Sequence, residues 1–269
     1  MRLVVGAHTD TGVVRHKNED NFYVAEEEGL FVVADGMGGH ASGEIASKIA
    51  VDVIRDYFKG LKTGRPLQVG AYDEGCSEAT NNLGSAIRLA NQAIYEAARG
   101  NILWQGMGTT IAAVLIDGKR LSIAHVGDSR VYLIRMGNLE QLTDDHSLVA
   151  EQVKRDIISE EEARQSEVKN VLTRAVGVEP EVKVDLDELG LVDGDMLLLC
   201  SDGLTGMVDE DDILLMAMSN PDPQSACGQL IAMANENGGK DNITAVIVRI
   251  EKKKGFFSFL FGLIERFRR

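Results

Sequence analysis

Four aspartates in this chain each stand beside a glycine or an asparagine: Asp35 in Asp35-Gly36-Met37-Gly38-Gly39-His40, Asp128 in Gly127-Asp128-Ser129-Arg130, Asp202 in Ser201-Asp202-Gly203, and Asp241 in Lys240-Asp241-Asn242. Asp35 and Asp202 each follow an apolar, strand-like run, over 31–34 and 196–200. A carboxylate at a strand end, followed by a glycine turn, is delivered to a rim and not to a core. Several such rims brought together make an all-oxygen pocket, which suits hard divalent cations. Taken singly, each motif reads as a turn; their order and spacing together carry the weight.

The elements that must position these aspartates are legible in outline. Apolar and β-branched runs predict strands over 3–7, 22–25, 31–34, 109–116, 121–126, 131–135, 182–186, 196–200 and 244–250. Asp117-Gly118 and Met136-Gly137-Asn138 read as hairpin turns. Helical periodicity covers 43–58, 81–98, 209–217 and 223–237. Ser42 is the expected N-cap of the first, with Glu44 in its first turn, and Asp209-Glu210 serves the third in the same way. Strands come in adjacent hairpins and helices in adjacent pairs. That order predicts an α+β fold with antiparallel sheets, not an alternating parallel one. Segment 60–82 reads as a surface loop. Segment 143–167 reads as a polar stretch over the site, with short helices from Leu148 and Ser159.

Composition narrows the function class. The 269 residues are 44% hydrophobic and 26% charged, with four prolines and no linker-like stretch, so one globular domain is expected. The formal charge of −14 argues against a nucleic-acid partner. Cys76, Cys200 and Cys227 are widely separated and form no Cys-x-x-Cys pair, so neither a disulfide framework nor a zinc knuckle follows, and a cytoplasmic location is expected. Residues 251–269 differ from the rest. They hold six Lys/Arg and two Glu, a charge of +4, which leaves 22 basic against 40 acidic residues, or −18, for the body. On a helix, Phe256, Phe257, Phe259, Leu260, Leu263, Ile264 and Phe267 would share an apolar face. A basic, aromatic-rich amphipathic tail suits peripheral contact with a membrane surface; the alternative is docking on the protein's own body or a second subunit.

Read in order, the motifs form a series. Thr9-Asp10-Thr11-Gly12, Arg15 and Asn18-Glu19-Asp20 come first, then 35–40 and Gly108-Thr109-Thr110. Val126-Gly127-Asp128-Ser129-Arg130-Val131-Tyr132 and Leu142-Thr143-Asp144-Asp145-His146-Ser147 follow. Leu172-Thr173-Arg174-Ala175-Val176-Gly177, Cys200-Ser201-Asp202-Gly203-Leu204 and Asp241-Asn242-Ile243-Thr244 complete it. The series, over about residues 3–250, resembles the bacterial branch of the metal-dependent type 2C (PPM) protein serine/threonine phosphatases. That resemblance implies two packed antiparallel β-sheets flanked by helix pairs, an α-β-β-α sandwich, in one domain of residues 1–250 followed by the 251–269 tail.

The resemblance also implies roles. Asp35 would bridge two Mg²⁺ or Mn²⁺ ions, and the Gly36 carbonyl would complete one shell. Asp202 and Asp241 would hold the other ion. Glu19 and Asp20 would hold metal-bound waters, and Asp128 with Asp202 would support a third, weaker ion. Arg15 would grip the substrate phosphate, its planar fork matching two oxygens. A metal-activated water would then hydrolyse phosphoserine or phosphothreonine in proteins, opposing a bacterial serine/threonine kinase. Animal members carry a histidine directly after the Asp-Gly pair. Here that position is Met37, and His40 is held as acid or substrate contact. The rival functions are a non-catalytic regulatory module on the same fold and a phosphatase of small phosphoesters. Asp10 and Asp145 are assigned to structure or caps. For His146 a hydrogen-bonded structural role stands beside reach to the site. Thr109 and Thr110 are expected to begin a strand, and Met107, Met207, Met216, Met218 and Met233 to pack in the core.

Overall fold

A computed structural model describes residues 1–38, 42–64 and 67–252. The expectations for His40 and for the tail from residue 253 onward lie outside these described residues.

One antiparallel sheet runs in the order β1 (Arg2–Asp10), β11 (Ile243–Glu251), β10 (Met196–Cys200), β7 (Arg130–Arg135) and β8 (Asn138–Gln141). The second runs β2 (Asp20–Ala25), β3 (Leu30–Met37), β5 (Ile111–Asp117), β6 (Arg120–Val126) and β9 (Asp185–Gly190), with short β4 (Gly108–Thr109) on the end of β3. Every pairing is antiparallel.

Three apolar layers hold the sheets and helices together. Between the sheets, Phe31 and Val33 of β3 meet Leu197 and Leu199 of β10 and Val246 and Val248 of β11. On the far side of the second sheet, Leu30, Val32 and Ala34 pack against α1 (Ser42–Leu61) and α2 (Glu78–Gly100) through Ile54, Ile87 and Ile94. On the far side of the first, Leu198, Cys200 and Ile247 meet α5 (Asp202–Thr205), α6 (Glu210–Ser219) and α7 (Pro223–Glu236). Successive side chains of β3 therefore enter different layers, as the two-residue period of a strand requires. Both faces are dry, which explains why β3 and β10 read as unbroken apolar runs and not as alternating ones. The architecture is the expected α-β-β-α sandwich.

Helix starts follow their capping residues. Ser77 accepts the Thr80 N–H at α2, Asp209 the Asp212 N–H at α6, and Asp222 the Ser225 N–H at α7, whose first residue is Pro223. Ser147 caps α3 (Leu148–Lys154), and Ser159 forms a capping box with Glu162 at α4 (Glu160–Gln165). Ser42, expected as a cap, is the first helical residue of α1. The β7–β8 hairpin turns through Met136 (φ 54°) and Gly137 (φ 79°), the backbone of a type I′ turn.

Four expectations need correction. The run over 109–116 breaks at Thr110: its N–H keeps the ladder bond to the Asp35 carbonyl at 2.8 Å, but the Asp35 N–H turns to Thr110 Oγ1 at 3.0 Å instead of the Thr110 carbonyl. The run over 182–186 moves to β9, since Val182 and Val184 pack as loop residues against the α1–α2 layer. β8 had no strand signal. Met218 is exposed, whereas Met107 is buried and Met207, Met216 and Met233 pack beside the core.

Leu199 is fully buried between the sheets, so Leu199→Ala should leave a cavity there. Loss of about 2–5 kcal/mol of stability is expected, read as a lower urea midpoint at unchanged m-value.

Candidate metal centre

The candidate residues converge where β3, β10 and the start of β11 end. Asp35 lies near the end of β3, opposite Asp20 of β2 in the ladder. Its backbone is fastened from both sides. Asp35 N–H donates to Thr110 Oγ1 at 3.0 Å, and Thr109 Oγ1 donates to the Asp35 carbonyl at 2.8 Å. With its peptide groups satisfied, the side chain is free to enter the cavity. Gly36 comes next. A Cβ there would meet the Gly43 carbonyl oxygen at 2.2 Å and that of Glu19 at 2.6 Å, so the N-terminus of α1 reaches the strand only over a glycine.

Asp202 follows β10 directly, and Asp241 precedes β11. Asn242 holds the loop that carries Arg15 and Glu19. Its Oδ1 accepts the Glu19 N–H at 2.7 Å, and its Nδ2 donates to the carbonyls of Thr11 and Lys17 at 2.9 and 2.8 Å. Asp20 sits beneath the others and accepts from the hydroxyls of Ser201 (2.7 Å), just past β10, and Thr244 (2.6 Å) of β11, so both donors come from the side of the opposite sheet. The Asp128 turn is tied to the same place, since Ser129 Oγ lies 2.6 Å from Thr110 Oγ1.

The result is a cavity of about 210 Å³. Asp35, Asp128, Asp202, Asp241, Glu19 and Arg15 line it, with Gly36 and Met37 on its floor strand and Asn170 and Leu172 from the segment after α4. Asp20 lies behind this wall and not on it. Among the described residues Arg15 is the one cationic side chain in the lining, and its Nη2 pairs with Asp241 Oδ2 at 2.7 Å.

Charge is badly balanced here. Burial pushes the Asp35 carboxyl well above the usual carboxylate range, and Asp20, Asp202, Asp128 and Asp241 push it further. Burial, then Asp202 and Asp145, raise Asp128 to about 8. Burial raises Asp20 to about 6 against the two hydroxyl bonds that oppose it, and burial followed by Asp241 raises Asp202. The Asp35, Asp20 and Asp202 carboxyls act directly on one another's ionisation. Yet Asp20 Oδ1 and Asp202 Oδ1 are buried without any donor. Orphaned carboxylate oxygens, an oxygen-only donor set and a glycine carbonyl at the rim fit hard cations such as Mg²⁺ or Mn²⁺.

Neighbouring candidates resolve into structure. Asp10 Oδ1 accepts from Gly12 N–H at 2.8 Å and from Asn235. Asp145 takes Arg130 in a two-pronged ion pair, with Nη2 at 2.7 Å. His146 is buried and hydrogen-bonded away from the cavity. Sequence reasoning gave no role to the hydroxyls of Thr109, Thr110, Ser201 and Thr244, to Asn242, or to Asn170 and Leu172. Asn242 and Thr110 did fall inside motifs already singled out; Asn170 had no signal.

The family described as protein phosphatase 2C matches this chain over residues 10–245. The serine/threonine phosphatase Stp of Listeria monocytogenes is 39% identical over 246 residues, covering 89% of this chain and 93% of that protein. The crystal structure of the Mycobacterium tuberculosis serine/threonine phosphatase PstP superposes with a TM-score of 0.83 at 35% identity, covering 94% of this chain and all of that one. A second structure, the catalytic domain of PstP in complex with two manganese ions, gives a TM-score of 0.80 at 35% identity, covering 93% of this chain and 99% of that one. With the fold, the acidic cavity and these likenesses in agreement, this chain belongs to the protein phosphatase 2C family.

Proposed function

We propose that this phosphatase removes phosphate from phosphoserine and phosphothreonine in proteins, with two Mg²⁺ or Mn²⁺ ions in the acidic cavity. The observation that carries the reading is the meeting of Asp35, Asp128, Asp202, Asp241 and Glu19 with one arginine in a single small cavity. Asp35 would be shared between the two ions, the Gly36 carbonyl would serve one, and Asp202 and Asp241 would serve the other. Glu19 and Asp20 orient water around them. Asp128, with Asp202, serves a third and weaker ion. Such ions lower the pKa of a shared water and neutralise charge on phosphoryl oxygens. Arg15 stands exposed at the mouth, where its fork can take two phosphate oxygens and align the phosphorus. His40 is the candidate acid or substrate contact.

Residues 1–250 carry this activity and residues 251–269 form a separate tail. The substrates are made by a serine/threonine kinase, which is the enzyme's natural counterpart. Among the described residues no helix is long and apolar enough to cross a membrane. Cys76, Cys200 and Cys227 are unpaired thiols, which fits a reducing cytoplasm. The tail then places the enzyme at the inner face of the membrane.

Asp35→Asn tests the centre. Phosphate release from a phosphothreonine peptide should fall by at least the ~100-fold that even an outer-shell change at a metal site can cost. EDTA should abolish the parent's activity, and Mn²⁺ should restore it. The metal-free variant should melt no earlier than the metal-free parent, because a buried like charge has been removed. Full activity of Asp35→Asn in chelator would refute the two-metal reading. A small phosphoester hydrolysed faster than the phosphopeptides would shift the substrate class.

Arg15→Ala should raise KM for the phosphopeptide about tenfold or more, the value of a charge-assisted hydrogen bond of about 1.5–3 kcal/mol, with kcat changed far less. An unchanged KM with a collapsed kcat would place Arg15 in the transition state instead.

Each basic residue of the tail is worth about 1 kcal/mol at an anionic surface, and burial of the apolar face adds to it. The full chain should co-sediment with anionic liposomes and a chain ending at Lys252 should not, while both hydrolyse a small phosphopeptide alike. Equal liposome binding would eliminate the anchor. Early melting of the shortened chain would favour a tail docked on its own body.

A further inference from the structure

Outside the acidic cavity, His125, His146 and Asp185 offer one ligand-type atom each within 4.8 Å of one another. By residue type this is a cation site. Its hydrogen bonds say otherwise. His146 Nδ1 lies 3.0 Å from the backbone nitrogen of Gly127, whose N–H it accepts. The ring proton is therefore on Nε2, which donates to Asp185 Oδ2 at 3.1 Å. The Arg174 guanidinium occupies the place a cation would need, with Nη1 3.0 Å from His146 Nε2 and 2.8 Å from Asp185 Oδ1. A metal on Nε2 would drive the proton onto Nδ1, against the Gly127 N–H, and would displace Arg174. His125 is committed as well: its Nε2 donates to the Asp144 carbonyl at 2.9 Å, and its ring stacks on His146 with centroids 4.6 Å apart.

The same bonds make His146 a two-point clamp. While its ring accepts the Gly127 N–H, its own backbone N–H donates to the Gly127 carbonyl at 2.9 Å. Gly127 adopts φ 105°, and a Cβ there would meet the Thr110 side chain at 2.6 Å, so this turn cannot be fixed by a side chain of its own. The next residue is Asp128. The His146 carbonyl meanwhile accepts the Thr173 N–H at 2.9 Å, and Ser147 bridges Leu172, which lines the cavity.

We infer that His146, its tautomer fixed by the Gly127 N–H on Nδ1 and the Asp185 carboxylate on Nε2, is a positioning residue for Asp128, holding the Gly127-Asp128 turn in the orientation from which Asp128 serves the third cation. The inference rests on the role proposed above for Asp128.

A double-mutant cycle tests it. Asp128→Ala, His146→Phe and the double variant are compared in the full chain for kcat and KM on a phosphothreonine peptide and for tightly bound manganese. Phenylalanine keeps the stack on His125 but cannot accept the Gly127 N–H. His146→Phe should lower kcat between about 10- and 100-fold, the range for outer-shell partners of metal sites, with KM and the two tightly bound ions unchanged. The double variant should be no slower than Asp128→Ala alone. His146→Asn, whose amide oxygen can stand where Nδ1 stood, should recover most of the loss. Asp185→Ala, which frees the tautomer and leaves the ring, should repeat the same non-additivity even if His146→Phe does not fold. Losses that multiply in the double variants, or full kcat in His146→Phe, overturn the clamp. So does one Zn²⁺ per chain that is bound by the parent and lost in His146→Phe. Full activity of Asp128→Ala alone would overturn the reading of Asp128 and the inference with it, and that single variant tells the two failures apart.

Discussion

Like charges forced together organise this molecule. Asp35, Asp20 and Asp202 crowd one point, with Asp128, Asp241 and Glu19 close by and Arg15 as the only cation in the lining among the described residues. A buried, unpaired carboxylate is costly, and several together are costlier. An apolar core could not keep them in place. The arrangement persists because the Asp35 backbone and the Glu19 loop are bonded independently of their carboxylates, and one carboxylate oxygen of Asp20 is held by two hydroxyls. Thr109 and Thr110 hold Asp35, Ser201 and Thr244 hold Asp20, and Asn242 holds the loop of Glu19. The side chains are thereby denied relaxation and offered to cations, which is the pre-organisation that metal chemistry needs.

The three apolar layers make that rigidity possible. β3 is dry on both faces, and its ladder to β2 places Asp20 opposite Asp35. Asp20 in turn takes its two hydroxyl donors from the side of the other sheet, so the acid cluster is stitched across the sandwich and not built on one layer alone. The Arg130–Asp145 pair supports the Asp128 side from below, with the Tyr132 hydroxyl bonded to Arg130 Nη1 at 2.7 Å.

The principal acids were legible because their signals are local. Asp35 and Asp202 end unbroken apolar runs, and those runs are unbroken because both faces of β3 and β10 are buried. The supporting groups were not legible, since their partners are remote in sequence. Thr110 meets Asp35 from 75 residues away, and Thr244 meets Asp20 from 224. Edge structure escaped for another reason. β8 is polar and half-exposed, so it carries no apolar period, while Val182 and Val184 carry apolar signal but bury as loop. The position of Asp20 beneath the cavity and the partners of His146 likewise follow from tertiary pairing, which no short window of sequence encodes.

The alternation along β3 has one more consequence. Leu30, Val32 and Ala34 belong to the helix layer, Phe31 and Val33 to the layer between sheets, and Asp35 ends the same count. A strand with that allocation behaves like a reading frame. Exchange of one apolar residue for another leaves the frame intact, but insertion or deletion of a single residue would swap the two layers and rotate Asp35 away from the cavity in the same stroke. Packing and chemistry share a phase, so neither can drift without the other. Variation in chain length is thus confined to segments outside the count, such as the stretch between α1 and α2.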